Sequence, residues 1–452
     1  MAKSFNSNKI YCDVAVIGGG VIGASVSYYL AKKNFNVILL EKSYIAAGAS
    51  GACDGFIFLQ SKKDKDIISL TLKSIDIFKK LSDELSYDIE YEKCGGLVIY
   101  SAGYSVEDID LFELTGAYEV YCRKHYKKFD EKIDIEHCGK YVNGSTDSKN
   151  DIEKKFIKIL DNRGLKSIEP FISDNARFGT FCSHEGHVNP LALNFAFALS
   201  AKKNGAEIYS GEEVKSFKLD NSGKIKKIFT GSGKQIIADE IVLCAGAWTS
   251  SLGELLGVKI PIKPRKGVII VTETLPKMIY HPIIDYDYLC CKFDLDRELG
   301  FTVEQTKSGN LLIGSTREFT GFDSRFDFKK ISDLLNRAVK IFPMLSNVCI
   351  IRVFDGFRPF SCDLKPFIGM IPGFINLWIA SGHEGDGIAL SPITGKLISE
   401  LIISKKKNLN GAVQEKSFDD ELYYDELYKD IKDFDAINIR KFSPEKRIYP
   451  LI

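Results

Sequence analysis

Nowhere in this chain do eighteen or so apolar residues run uninterrupted, so a membrane-spanning helix is not expected. Nor does charge of one sign prevail: 61 Lys and Arg face 60 Asp and Glu, for a formal net charge of +1. A chain so balanced has no global field to draw it to nucleic acid or anionic lipid, and nucleic acid is not expected as a partner. Met1 to Ile10 are polar and lack the apolar centre of an export signal. The 11 cysteines fall without regular spacing, and Cys290-Cys291 are adjacent rather than C-x-x-C. The expectation is reduced thiols in a cytoplasmic protein. His184-Glu185-Gly186-His187 superficially suggests a metal site. Its histidines are three apart beside Gly186 and Pro190, whereas H-E-x-x-H sets them four apart on a helix. A turn before a helix is expected there, and no metal.

What remains is an ordinary globular composition, 45% hydrophobic and 27% charged over 452 residues, long enough for two intertwined domains. Val14, Val16 and Ile17 make Cys12 to Ile17 a buried strand. A glycine cluster, a helical pattern from Val21 to Lys33 and a strand from Asn36 to Leu40 complete a β-turn-α-β unit. Leu191 to Lys203 is an amphipathic helix stopped at Asn204-Gly205, with a strand at Glu207 to Tyr209. Lys224 to Phe229 and Gln235 to Ile237 flank Gly231-Ser232-Gly233 as a hairpin, and Glu240 to Cys244 is a separate short strand. Pro264 to Thr316 is strand-rich and Lys329 to Ile341 helical. Leu377 to Ala380 is a strand and Gly387 to Ile403 a helix. Lys127 to Lys166 and the tail from Ser404 to Ile452 are poorly patterned and read as additions to a core.

The strongest chemical signal is Gly18-Gly19-Gly20-Val21-Ile22-Gly23, a G-x-G-x-x-G that follows a strand directly and opens a helix. Gly18 permits the tight turn, Gly20 lets backbone approach a pyrophosphate, and Gly23 allows helix and strand to pack closely. The helix N-terminus, at Val21 and Ile22, offers amide donors to phosphate. Glu41, with Lys42 beside it, ends the next strand 23 residues after Gly18, where a carboxylate binds a ribose hydroxyl pair. The bland alternative is a glycine-rich turn with no nucleotide. An acidic residue at that place disfavours a phosphorylated ribose. After Glu41, Ala46-Ala47-Gly48-Ala49-Ser50-Gly51-Ala52 is small, flexible and rich in backbone donors.

From this point the chain resembles the D-amino-acid oxidase, glycine oxidase and sarcosine oxidase family of flavoproteins. In that family the loop holding Ala49, Ser50 and Gly51 wraps the flavin. His187-Val188-Asn189-Pro190 resembles "G-x-[VI]-[DN]-P", and Val214 falls where the family sets a valine near the adenine. Cys244-Ala245-Gly246-Ala247-Trp248 is similar to "A-x-G-A-W". Gly356-Phe357-Arg358-Pro359 with Asp363, Pro366 and Gly369 is similar to "G-x-R-P-x-x-x-D-x-x-P-x-x-G". Gly382-His383-Glu384-Gly385-Asp386-Gly387 with Thr394-Gly395 resembles the closing "G-H-x-x-x-G…P-x-T-G". The resemblance implies FAD, held by Gly18, Gly20, Val21, Ile22, Gly23, Glu41, Lys42, Ala49, Ser50, Gly51, Val214, Ala245, Gly246, Trp248, Gly382, His383, Gly385, Asp386 and Gly387. It also implies an α/β fold, with a Rossmann-like FAD-binding domain interleaved with an α+β, mixed-sheet substrate domain. The FAD-binding parts fall at 10–60, 171–260 and 351–403. Substrate or cap segments fall at 61–170 (with an insertion near 127–166) and 261–350, and a C-terminal extension at 404–452. Sarcosine oxidases that tether their flavin carry a cysteine where this chain has Gly356, so non-covalent FAD is expected, with Cys362 close by.

In glycine-oxidase-like members the arginine matching Arg358 holds the substrate carboxylate, a role suited to a planar, bidentate guanidinium. The bland alternative is a structural arginine paired with Asp355 or Asp363. Tyr286 and Tyr288 lie where the family's substrate residues cluster, although core or surface aromatics are the commoner case. The implied reaction is oxidation of the C–N bond of a small amino or imino acid by hydride transfer to flavin N5, with no catalytic base assigned. Asp54-Gly55-Phe56 to Gln60-Ser61-Lys62-Lys63 is similar to a stretch of opine, proline or hydroxyproline dehydrogenase flavin subunits. That implies a dehydrogenase with a partner subunit or electron acceptor. The alternatives are a self-sufficient oxidase making hydrogen peroxide, a non-catalytic electron-transfer flavoprotein, and a flavin domain acting on tRNA.

Overall fold

Successive strand side chains point to opposite faces, so a strand buried on both sides must be apolar at every position. Lys9–Ile17 meets this in its second half: Val14 and Val16 join one apolar cluster, Ala15 and Ile17 the other. A computed structural model of the chain describes residues 8–109, 141–142, 156–410, 439–445 and 447–450. Lys9–Ile17 lies at the centre of an eight-stranded sheet. On one side it pairs in parallel with Val37–Glu41, which pairs in parallel with Glu207–Ser210. On the other it pairs in parallel with Gln235–Leu243, which pairs in parallel with Leu377–Ser381. Helices Val21–Ala31, Lys65–Leu85, Pro190–Lys203 and Gly387–Asn410 supply the residues of the cluster beneath Val14 and Val16.

The hairpin expected at Gly231 to Gly233 is present, with Ile228 opposite Ile236. The separate strand at Glu240 does not exist as such. Gln235–Leu243 is one strand that begins as the hairpin's second arm and ends as a parallel member of the central sheet. Pro190–Lys203 starts as its sequence prescribes, with the Asn189 side chain accepting from the Leu191 and Ala192 amides and Pro190 in the first turn. Gly387–Lys407 is long and apolar enough to cross a membrane, with mean hydropathy 1.3, but 78% of it is buried inside the protein. Its apolarity is that of a core helix.

A second, nine-stranded sheet runs in the order Ile350–Ser361, Ile262–Thr274, Asn310–Thr316, Leu299–Gln305, Ile283–Asp285, Gly96–Tyr100, Phe178–Cys182, Ile157–Asp161 and Tyr141–Val142. It is mixed, with parallel pairs at Ile283–Asp285/Gly96–Tyr100 and Tyr141–Val142/Ile157–Asp161. Helix Phe328–Ile341 covers it through Ile331, Leu334, Ala338 and Ile341.

The pairing redraws several expected boundaries. Lys65–Leu85 lies within 61–170 yet packs in the nucleotide-side cluster through Ile68, Leu72, Ile75 and Phe78. Phe178–Cys182 and Ile350–Ser361, expected at or inside the edges of FAD-binding segments, belong to the second sheet. Ile157–Asp161, read as part of an insertion, is an internal strand there. Most of the expected insertion at 127–166, and Tyr423, Tyr424, Tyr428 and Phe434 of the tail, lie outside the described residues. Farther along that tail, Phe442 is buried in the nucleotide-side cluster, and Arg447 pairs with Asp363 at 2.6 Å.

Candidate functional site

The first βα turn is built from what its glycines lack. A Cβ at Gly18, where φ is +115°, would sit 2.5 Å from the Cys244 carbonyl oxygen, and one at Gly23 would sit 1.9 Å from the Gly18 oxygen. Strand, turn and neighbouring strand therefore close to a distance no side chain permits. One Glu41 carboxylate oxygen accepts from the Gly19 amide at 2.7 Å and the other from the Ser43 amide at 2.8 Å. The Ser50 hydroxyl accepts from the Val21 amide at 2.9 Å, fastening the small-residue loop over the helix N-terminus.

These groups line one long cavity of about 440 Å³. At one end are Gly18, Gly20, Val21, Ile22, Glu41, Lys42, Val214 and Leu255. Ala49, Ser50, Ala245, Gly246 and Trp248 follow, and at the far end stand Asp54, Tyr288, Phe357, Arg358, His383, Gly385 and Gly387. The Lys42 ammonium lies 3.8 Å from the centroid of the Trp248 ring. Phe322 also stacks on the Trp248 ring, 4.8 Å between centroids and 17° off parallel. Gly23, Gly51 and Gly382 do not line the cavity and serve packing instead. A Cβ at Gly51 would meet the Ala46 oxygen at 2.3 Å, and Gly382 holds φ +79°.

Helix Gly387–Asn410 points its N-terminus into the far end, after a turn in which Glu384 takes φ +51°. His383 is buried with Nε2 at 3.1 Å from the Thr394 hydroxyl, and burial drops its pKa to about 3, so it stands neutral. Asp386, expected to bind cofactor, lines a second, small cavity of about 30 Å³ behind the first. It sits between two buried lysines, Lys62 at 3.0 Å and Lys292 at 2.8 Å. Burial opposes its ionisation, but the two ammonium groups hold the carboxyl well below the usual range. Glu384 is likewise buried, and Arg317, its hydrogen-bonded partner, keeps it ionised.

Arg358 donates through Nη1 to the Thr316 carbonyl at 2.9 Å and through Nη2 to the Ser315 hydroxyl at 2.6 Å. The guanidinium occupies the space a side chain at Gly267 would need, since a Cβ there would lie 2.1 Å from Nη1. Neither acid considered as its structural partner takes it: Asp363 pairs with Arg447, and Asp355 makes no ion pair with Arg358. Among the described residues no carboxylate pairs with Arg358 at all.

The two tyrosines separate. Two positions apart on helix Tyr286–Phe293, they point to different faces. Tyr288 is buried at the cavity, with Arg317 4.5 Å from its ring centroid. Tyr286 packs against Tyr100 at 4.8 Å and Tyr104 at 4.9 Å, away from both cavities. The histidines considered for metal also diverge. His187 Nδ1 lies 3.1 Å from Glu304, and Glu185 accepts from the Leu59 and Gln60 amides. No group of three metal-ligating side chains occurs among the described residues.

Sequence reasoning passed over Asp54, Lys62, Lys292 and Arg317 as site residues. Their contacts join segments far apart in the chain, which no local motif marks. Cys362, close in sequence to the tethering position, is exposed and outside the cavity lining.

The FAD dependent oxidoreductase (DAO) family profile matches residues 13–401. Glycine oxidase of Geobacillus kaustophilus is 26% identical over 397 residues, covering 87% of this chain and 93% of its own. The hydrogen cyanide synthase subunit HcnC of Pseudomonas protegens is 28% identical over 422 residues, covering 86% and 92%. L-proline dehydrogenase from P. horikoshii shares the fold, with a TM-score of 0.73 at 21% identity over 96% of this chain and 97% of its own.

Proposed function

The chain belongs to the FAD dependent oxidoreductase family, and from that footing we propose that it oxidises the C–N bond of a small amino or imino acid. The cavity suits the cofactor: backbone amides crowd both helix N-termini, glycines stand where a Cβ would intrude, and Glu41 closes the end suited to a ribose. Bound there, FAD would supply a two-electron acceptor for hydride. We take it to be held without a covalent bond.

This chain's own residues do the rest. The observation that carries the reading is Arg358, a guanidinium facing the cavity with no carboxylate partner among the described residues. A substrate carboxylate completes it. Ser315 and Thr316 fix the fork, and Tyr288, Phe56 and Phe357 exclude water around the carbon that reacts. The similarity to a hydrogen cyanide synthase subunit, together with the Asp54 to Lys63 stretch, supports a dehydrogenase that passes electrons to a partner. The similarity to glycine oxidase favours the second reading, a self-sufficient oxidase making peroxide.

The test is anaerobic: amino, imino and N-methyl acids are screened for bleaching of the flavin absorbance. Bleaching by at least one is expected. A flavin that none reduces, in protein that dithionite reduces normally, leaves a non-catalytic flavoprotein.

A further inference from the structure

Asp54 is the group at the far end of the cavity that the reading above leaves without a task. It follows the small-residue loop and lines both the main cavity and the small one behind it, together with Phe56, Tyr288 and Gly385. Among the described residues its side chain has neither an ion pair nor a hydrogen bond to another side chain. The charged groups around it are disposed on every side. Glu304 comes from strand Leu299–Gln305 and is occupied by His187 and the Gly55 amide at 2.8 Å. Arg317 follows strand Asn310–Thr316 and is taken by Glu384. Arg358 stands on strand Ile350–Ser361, and Lys292 of helix Tyr286–Phe293 is taken by Asp386. One carboxylate and one guanidinium, each without an opposite charge of its own among the described residues, thus share one cavity.

That pairing is the complement of a zwitterion. Resting on the functional reading above, we propose that Asp54 binds the substrate's ammonium group and accepts its proton, while Arg358 holds the carboxylate. The N–H proton passes to a carboxylate oxygen of Asp54. The freed nitrogen lone pair forms the C=N bond as the Cα–H hydrogen leaves with its electron pair to the oxidant, the FAD of the family. The substrate loses two electrons and becomes an iminium ion, which sheds a further N–H proton to solvent as the imine, and Asp54 is left neutral until it releases the proton it took. Burial pushes Asp54 up to about 7, Glu304 adds to the rise, and Arg358 and Arg317 oppose it. A base poised there is ionised enough to act near neutral pH.

The test uses the holoenzyme and Asp54→Asn, with Asp54→Ser as a second variant and flavin content checked in both. In the wild type kcat/KM rises with pH through about 7 as Asp54 ionises. In the variants the substrate must arrive already neutral. The limb then moves towards the amine's own pKa, near about 10 for an alkyl ammonium. At pH 7 the rate constant falls by roughly a hundredfold to ten-thousandfold. Binding gives a readout separate from turnover. 2-Aminoisobutyrate, which has no Cα–H to lose, should bind the wild type at least tenfold more tightly than isobutyrate, and this advantage should vanish in both variants. An unmoved pH limb, an amine advantage that survives the substitutions, or none in the wild type overturns the assignment. Should no amino acid bleach the wild-type flavin, it is the functional reading that fails; bleaching that is equal in wild type and variants removes Asp54 alone.

Discussion

Arg358 is held by two independent devices, hydrogen bonds from its fork to Ser315 and Thr316 and the missing side chain at Gly267. Each gives a prediction. Arg358→Lys keeps a charge but loses the fork, so flavin content should be unchanged while kcat/KM falls about a hundredfold or more. Equal loss on substrates with and without a carboxylate would contradict the assigned role. Gly267→Ala puts a methyl where Nη1 now sits. It should push the guanidinium off its position and cost about tenfold to a hundredfold in kcat/KM, with KM taking the larger share. Unchanged kinetics in a folded Gly267→Ala protein would show that the fork tolerates displacement. Arg358 was legible because it stands in a recognisable G-x-R-P string. Gly267 was not, since its importance comes from lying two positions along the strand from Arg358's pairing partner, Arg265, and so on the same face, in the pairing of Ile262–Thr274 with Ile350–Ser361. Asp54 was visible as part of a string but not as a site. Its distinction is the absence of a side-chain partner among the described residues, which only the fold exposes.

Among the elements, those set by local chemistry were readable. The glycine turn, the Asn189-Pro190 helix start and the Gly231 to Gly233 hairpin all carry their instructions within a few residues. Lys65–Leu85 also carries one: Asp64 caps it, accepting from the Asp66 and Ile67 amides. What its sequence could not say is which core it serves, because that depends on Gly387–Asn410 lying alongside. The same limit applies to Gln235–Leu243, whose two halves answer to different neighbours. Gly387–Asn410 joins site and core, since its first turn faces the cavity and Leu397, fully buried, lies in the nucleotide-side cluster. Leu397→Ala should destabilise the protein by about 2–5 kcal/mol. Because the helix N-terminus moves with the core, flavin release should precede loss of secondary structure on heating. Coincident transitions by flavin fluorescence and circular dichroism would argue that the helix end is held independently.

For the whole molecule, the open question is where the electrons go. As a dehydrogenase subunit, the isolated, substrate-reduced protein should be reoxidised by a phenazine or quinone dye at least tenfold faster than by air. Rapid peroxide formation by the isolated chain would make it a self-sufficient oxidase. The class of reaction was legible from six strings in order along the chain, because cofactor contacts are local. The electron acceptor was not, because a docking surface is an assembly of residues from many strands and has no fixed spacing.

One consequence of the first sheet concerns its birth rather than its catalysis. The strand Leu377–Ser381 lies beside Gln235–Leu243, and helix Gly387–Asn410 covers Val21–Ala31, so the glycine turn is made first and enclosed last. On a ribosome working at about 5–20 residues per second, the apolar edge of Gln235–Leu243 waits on the order of ten seconds for its neighbour. The nascent chain is then an unfinished sheet with an open border, a client for chaperones and a target for proteases. Chains arrested before Leu377 should be cleaved readily near Gln235–Leu243 and retain no flavin, whereas chains extended past Asn410 by the length of the exit tunnel should become resistant and yellow together. Resistance gained before the last strand emerges would mean that the domain can close without it.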